Sequence, residues 1–332
     1  MNYRKQILFV FILVLSITYF SCDDAGQDPN QPRPPKGQIT FTHANLKPID
    51  PYMNGLYVLW LALDSSGNRT WYDLGHFNVT TSGEITDSLG NTPFTFTFTG
   101  DTNSLVYATK STVTLGYDPV GSVLIGADLV MYSDSATGDF WMANDLAFGD
   151  VGKRLLAVPP FPRANGGYML NSPTTNNAQC TRGIWFCDTN QVTTFTPELI
   201  LNPGNGWHFE AWLHNRTTNE YYSLGKFFNF YNADLDGAGP CAGTSGPGYN
   251  YPGQDFISST PPCPTIPAFN NVNFDLTVTI EPEWETGAAV SKPFYLVLFG
   301  VSSIYSGCNI VKPLPNQNVL NIYPTGKIKI TK

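Results

Sequence analysis

Charge is scarce in this chain. Only 13% of the 332 residues are charged, and the 26 acids outnumber the 18 bases, for a formal net charge of −8. A chain so poor in positive charge is badly suited to nucleic acid or to anionic head groups. There are four histidines and no CxxC pair, so zinc finds no ligand set with its usual spacing. No Gly-rich phosphate loop, dinucleotide fingerprint or basic patch is present. Long apolar runs are missing too, apart from Ile7–Leu15, which is too short to span a bilayer comfortably.

What the chain has instead is aromatic residues, at 14%, with 30 glycines and 26 prolines. That balance suits short strands joined by many turns and leaves little room for solvated helices, so the expected class is all-β. The length exceeds one typical domain, and two are expected.

The apolar run is preceded by Arg4 and Lys5 and followed by Tyr19-Phe20-Ser21-Cys22, and then by a polar, Pro-rich stretch to Lys36. A basic start, a short apolar middle and a small residue before the cut make a secretion signal. The cysteine at the cut resembles the lipobox of bacterial lipoproteins, in which that residue carries the lipid; several acyl chains on Cys22 would anchor the chain stably to a membrane. Residues 1–21 are thus expected as a signal peptide and 22–36 as a lipidated, extended tether. Loss of 1–21 removes two positive charges and no negative one, so −8 becomes −10. The pair Asp23-Asp24 resembles the export signal of surface lipoproteins in the Bacteroidetes group, which implies an outer-membrane or cell-surface address.

Five further cysteines, Cys180, Cys187, Cys241, Cys263 and Cys308, all lie in the second half. Outside the cytoplasm they are expected to pair. Cys241 and Cys263 flank a Gly/Pro-rich loop and form the expected disulfide; among the other three the partner choice stays open, and one thiol is left over.

One unit occurs twice. Gly55-Leu56-Tyr57-Val58-Leu59-Trp60-Leu61 leads through a turn at Ser65–Asn68 to Trp71-Tyr72-Asp73-Leu74-Gly75-His76-Phe77. Gly206-Trp207-His208-Phe209-Glu210-Ala211-Trp212-Leu213 leads through Asn215–Asn219 to Tyr221-Tyr222-Ser223-Leu224-Gly225-Lys226-Phe227. Each is a β-hairpin signal. Ser111–Leu115 and Leu276–Ile280 match downstream, and Gln38–Thr42 and Gly183–Phe186 match upstream. The expectation is two tandem β-sandwiches, at 37–162 and 163–332, with an insertion at 232–268 in the second. The strand glycines Gly75 and Gly225 predict a bulge.

The order of these motifs, together with Asp234–Pro240, Pro252–Phe256 and Val278–Pro282, resembles the extracytoplasmic domain of anti-sigma-K factor-like proteins. The resemblance touches most of residues 165–300 and only the hairpin and one strand of the first half. It implies a β-sandwich fold. It does not imply a sigma-factor partner, because the chain shows neither the cytoplasmic helical segment nor the membrane helix of that group.

Candidate chemistry is sparse. Asn232, Asp234 and Asp236 place oxygens at alternate positions before Gly237, as in the first half of a calcium loop, and Asp255 is the candidate that would complete the set. An acidic turn capped by its own side chains competes with that reading. Gly243–Pro247 superficially resembles a serine-nucleophile loop, yet no histidine has a supporting motif. Glu281, Glu283 and Glu285 alternate after a strand, which reads as a solvated strand end. No catalytic residue emerges, and no cofactor other than candidate calcium. The expected function is a non-catalytic binding or structural module of the envelope, its partner a glycan or an envelope protein. Alternatives are a carbohydrate-binding module using exposed Trp71, Trp141 and Trp284, and a hydrolase with an undetected carboxylate pair.

Overall fold

The structure is a computed structural model. It describes residues 38–49, 55–117, 129–133, 139–142, 161, 164–175, 180–197, 199–201, 207–261, 263, 266, 269, 273–283, 292–304, 307–317 and 324–331. The expected signal peptide, Cys22 and the expected tether lie outside these residues, as does the expected domain boundary at 162.

The described chain is all-β, with no α-helix. The strands are β1 (Gln38–Ala44), β2 (Gly55–Ser65), β3 (Asn68–Val79), β4 (Ile85–Thr86), β5 (Ala108–Tyr117), β6 (Leu129–Ser133), β7 (Asp139–Met142) and β8 (Gly166–Leu170). They continue as β9 (Gly183–Trp185), β10 (Trp207–Asn215), β11 (Glu220–Phe227), β12 (Gly253–Asp255), β13 (Phe274–Pro282), β14 (Val297–Val301), β15 (Lys312–Leu314) and β16 (Thr325–Thr331). They form four sheets: β4-β3-β2-β5-β6, β11-β10-β13-β14, β1-β16-β7 and β12-β9-β8-β15. Every strand pair is antiparallel.

The two hairpin sheets match position by position. Ser66 and Gly67 both have positive φ, so β2 and β3 are joined by a two-residue primed turn whose twist suits the strands. Tyr57 pairs with Phe77 as Phe209 pairs with Phe227, and the rings of the two pairs sit 5.4 and 5.8 Å apart. Trp60 pairs with Thr112 and donates its indole N–H to Thr114 at 2.9 Å; Trp212 pairs with Thr277 and donates to Thr279 at 3.1 Å. The register slips at the same place in both hairpins, beside Gly75 and Gly225, whose φ values of +141° and +101° disfavour any side chain. The predicted bulge is therefore real. Each glycine N–H is held by the side chain two residues before it, Asp73 or Ser223.

The other two sheets also correspond, but not in chain order. In the second half β9 pairs with β8, and β8 with β15. In the first half β1 occupies the place of β9 and β7 that of β15. The strand between them, equivalent to β8, is β16, from the far end of the chain. The sheet that β1 and β7 share in the first half is closed by the last strand of the chain.

This closure links the two halves expected at 37–162 and 163–332 through one shared sheet. Thr325–Thr331 was assigned with 163–332, yet it pairs with Gln38–Ala44. Residues Gly37–Lys332 form one compact unit, and one buried cluster runs from Ile39 through Leu59, Phe209 and Leu276 to Ile328. Tyr57 and Tyr295, from opposite halves, meet hydroxyl to hydroxyl at 3.0 Å. A closed unit leaves fewer open sheet edges, which are otherwise a liability.

Candidate functional site

The alternation of a strand decides which residues can form a site. On β10, Trp207, Phe209, Ala211 and Leu213 enter the core; on β13, Phe274, Leu276, Val278 and Ile280 do. The opposite face therefore carries His208, Glu210, Trp212 and His214 from β10, and Asp275, Thr277, Thr279 and Glu281 from β13. In a sheet with one wet face these residues would be solvated. Here His208, Glu210, Trp212, Thr279 and Glu281 are all buried. The matching positions on β2 are Leu56, Val58, Trp60 and Ala62, so His208, Glu210 and His214 have no polar counterpart on that strand.

At one end this face is closed. The Glu210 carboxylate accepts from Ser223 at 2.6 Å and lies 3.5 Å from the Lys226 ammonium and 3.6 Å from His208. Burial depresses the His208 pKa, outweighing the carboxylate beside it, so the ring is neutral at neutral pH. Glu281 accepts from the Trp212 indole at 3.1 Å, from the Phe294 N–H at 2.8 Å and from Thr279. The expected solvated strand end is thus wrong for Glu281: β13 carries it into the interior, where these donors offset its desolvation. Glu285 lies outside the described residues. Glu210 and Glu281 sit on adjacent strands, but both are fully enclosed, which does not suit acids that must reach a glycosidic bond.

At the other end the face opens into a cleft of about 510 Å³, lined by His214, Tyr221, Asp275, Thr277, Gln317 and the segment from Lys292 to Tyr295, among others. The His214 and Tyr221 rings stack, 4.3 Å apart and 13° from parallel. Both imidazole nitrogens are engaged: Nδ1 lies 3.3 Å from Asp275 and Nε2 3.2 Å from Asn219. Asp275 is fixed in turn by the Ser303 N–H at 3.0 Å and by Arg216 at 3.3 Å. These two contacts fix the orientation of the ring in the cleft.

The acidic loop is structural in its contacts. Asp234 accepts from Gly253 at 3.1 Å and from the Asp236 N–H at 3.3 Å; Asp236 accepts from Gln254 at 3.1 Å. Asp255 commits one oxygen to the Trp185 indole at 2.9 Å and the other to the N–H and hydroxyl of Thr174. Asn232 is exposed and its N–H donates to Asn229. Asp255 clasps the insertion to β9 and to the segment after β8, while Asp234 and Asp236 hold the insertion to its own strand β12. Among the described residues no group of three or more His, Cys, Asp or Glu is arranged to hold a metal ion. The clasp also explains Gly225: a methyl there would meet the Asp234 carboxylate at 2.5 Å, whereas in the first half the ring of Phe94 fills the same space beside Gly75.

Burial raises the Asp234 pKa to about 8; the Asp236 charge adds to this and the Gly253 N–H opposes it. The folded chain then holds a proton on Asp234 that the unfolded chain releases above about pH 4. Its stabilising effect is full below that pH and is lost as pH rises toward 8. Urea unfolding at pH 5, 6.5 and 8 should show stability falling by up to about 1.4 kcal/mol per pH unit from this group. Asp234→Asn should remove that slope. An unchanged slope in the variant would assign it elsewhere.

Cys241 and Cys263 are bonded as expected, and Cys180 bonds Cys308. The leftover thiol is Cys187, buried, its pKa pushed up to about 12, which makes it unreactive. Of the three tryptophans expected in an exposed row, Trp71 is half-buried on β3 at the position matching Tyr221. The Trp141 side chain and all of Trp284 lie outside the described residues. Sequence reasoning missed the His214–Tyr221–Asp275 cluster; the one local signal was that His214 and Tyr221 flank the same turn.

No family model, curated protein or solved structure matches this chain.

Proposed function

We propose that the chain is an exported envelope lipoprotein, anchored through Cys22 at the outer membrane or cell surface, that binds a small ligand in the cleft of its second half without transforming it. The observation that carries this reading is the asymmetry of the two units. They share the hairpins, the bulge glycines and the Trp–Thr hydrogen bond, but the second has His214, held between Asp275 and Asn219, where the first has Ala62. Groups fixed in advance in this way lower the ordering cost of binding. Two disulfides agree with an oxidising compartment. The carboxylates tied to neighbouring donors favour binding over hydrolysis. The resemblance to anti-sigma-K factor-like outer domains enters as a proposal of common fold alone.

Two measurements test it. Incorporation of a clickable fatty acid in cells should be lost in Cys22→Ala. A small-molecule panel offered to the chain lacking residues 1–21 should yield a ligand that raises the melting temperature and is recovered intact. Consumption of that ligand would make the protein an enzyme and overturn the reading.

A further inference from the structure

The lining of the cleft defines a class of ligand. We infer that it takes a neutral saccharide, an inference that rests on the binding reading above.

The volume, about 510 Å³, falls within the range of small-molecule sites. Its walls are of two kinds. Tyr221 stacked on His214, with Pro293, Val297 and Val301, supplies flat and aliphatic surface. Thr277, Ser302, Gln317 and Asp275 supply hydroxyl, amide and carboxylate groups. A pyranose ring presents the same two chemistries: an apolar C–H face, and a rim of hydroxyls that both donate and accept. A purely apolar ligand would strip water from this polar wall without replacing its hydrogen bonds, which costs binding energy.

Charge argues for neutrality. Asp275, the one acid in the lining, already has Arg216 at 3.3 Å and His214 at 3.3 Å, so it has little remaining attraction for a cation. Lys292 is exposed, and a single exposed lysine on a chain of net charge −8 is a weak anchor for a polyanion.

The site is also rigid where contact would be made. The His214 ring is held at both nitrogens, and the Gln317 amide donates to the carbonyls of Gly300 at 3.1 Å and Pro315 at 3.4 Å. In the first unit Ala62 stands at the position of His214, and the same recognition cannot be built there.

The test is a ¹H–¹⁵N NMR titration of the chain lacking residues 1–21, with neutral disaccharides of glucose, galactose, xylose and N-acetylglucosamine. Amino acids, nucleosides and short peptides complete the panel. The inference predicts that at least one disaccharide perturbs residues of β10, β13 and the 292–302 segment. Tyr221→Ala should weaken that binding at least about tenfold by removing one stacked aromatic. Tyr221→Phe, which keeps the ring, should stay within a few-fold, and so should Trp71→Ala. The melting temperature of each variant reports whether it is folded. If only a non-sugar compound perturbs the cleft, the saccharide assignment is overturned and the binding reading stands. If no compound in the panel perturbs the cleft, or shifts appear only elsewhere, both are overturned.

Discussion

A chain ended at Pro324 is expected to lose the fold of its first half. The missing strand, β16, is the partner of both β1 and β7, so deletion strips backbone hydrogen bonds from two strands at once and opens two edges. Its Ile328 is fully buried in the common core, and truncating that side chain alone to alanine should cost about 2–5 kcal/mol. Loss of the whole strand approaches the 5–15 kcal/mol of net stability typical of a domain. Hydrogen exchange should show protection lost first in β1, β7 and the Phe41–Phe77–Phe96 cluster that β1 caps. The β12-β9-β8-β15 sheet loses no strand in this truncation and should hold longer. Full protection of β1 in the truncated chain would mean that β16 is an accessory and not a closing strand.

The second large effect is expected from the Cys180–Cys308 disulfide. These residues are 128 apart in sequence, and a cross-link over a loop of that length restricts the unfolded chain by about 5 kcal/mol, against about 3 kcal/mol for the 22 residues between Cys241 and Cys263. It ties the turn before β9 to the segment before β15, the two flanks of β8. A Cys180→Ser/Cys308→Ser variant should therefore unfold at lower guanidinium concentration than a Cys241→Ser/Cys263→Ser variant. Cys187 should not substitute, being buried and unreactive. An equal or smaller loss in the first variant would show that the unfolded chain is already restricted in that region.

What the sequence revealed followed the range of each interaction. The hairpins, the Leu-Gly bulges and the Cys241–Cys263 pair are local: period-2 alternation, turn residues and short separation carry them. The alternating Lys327-Ile328-Lys329-Ile330 announces a strand but not its partners, which stand far back in the chain at Gln38–Ala44 and Asp139–Met142. Glu281 looks solvated because its neighbours are glutamates, and nothing local reveals that Trp212 and the Phe294 N–H will meet it. The same holds for the cleft. Its acid and imidazole are 61 residues apart and become neighbours only when β10 and β13 pair. Nor does anything local reveal that the buried Asp255 carboxylate joins Trp185 to Thr174.

The proposed function divides the labour between two alike units, the first a closed support and the second the reader of a ligand. Hydrogen–deuterium exchange of the chain lacking residues 1–21, with and without the ligand found by the panel, tests that division most directly. Added protection confined to β10, β11, β13 and the 292–302 segment is the predicted result. Protection centred on β2, β3 and β5, around Trp60 and Trp71, would place recognition in the first unit and contradict it.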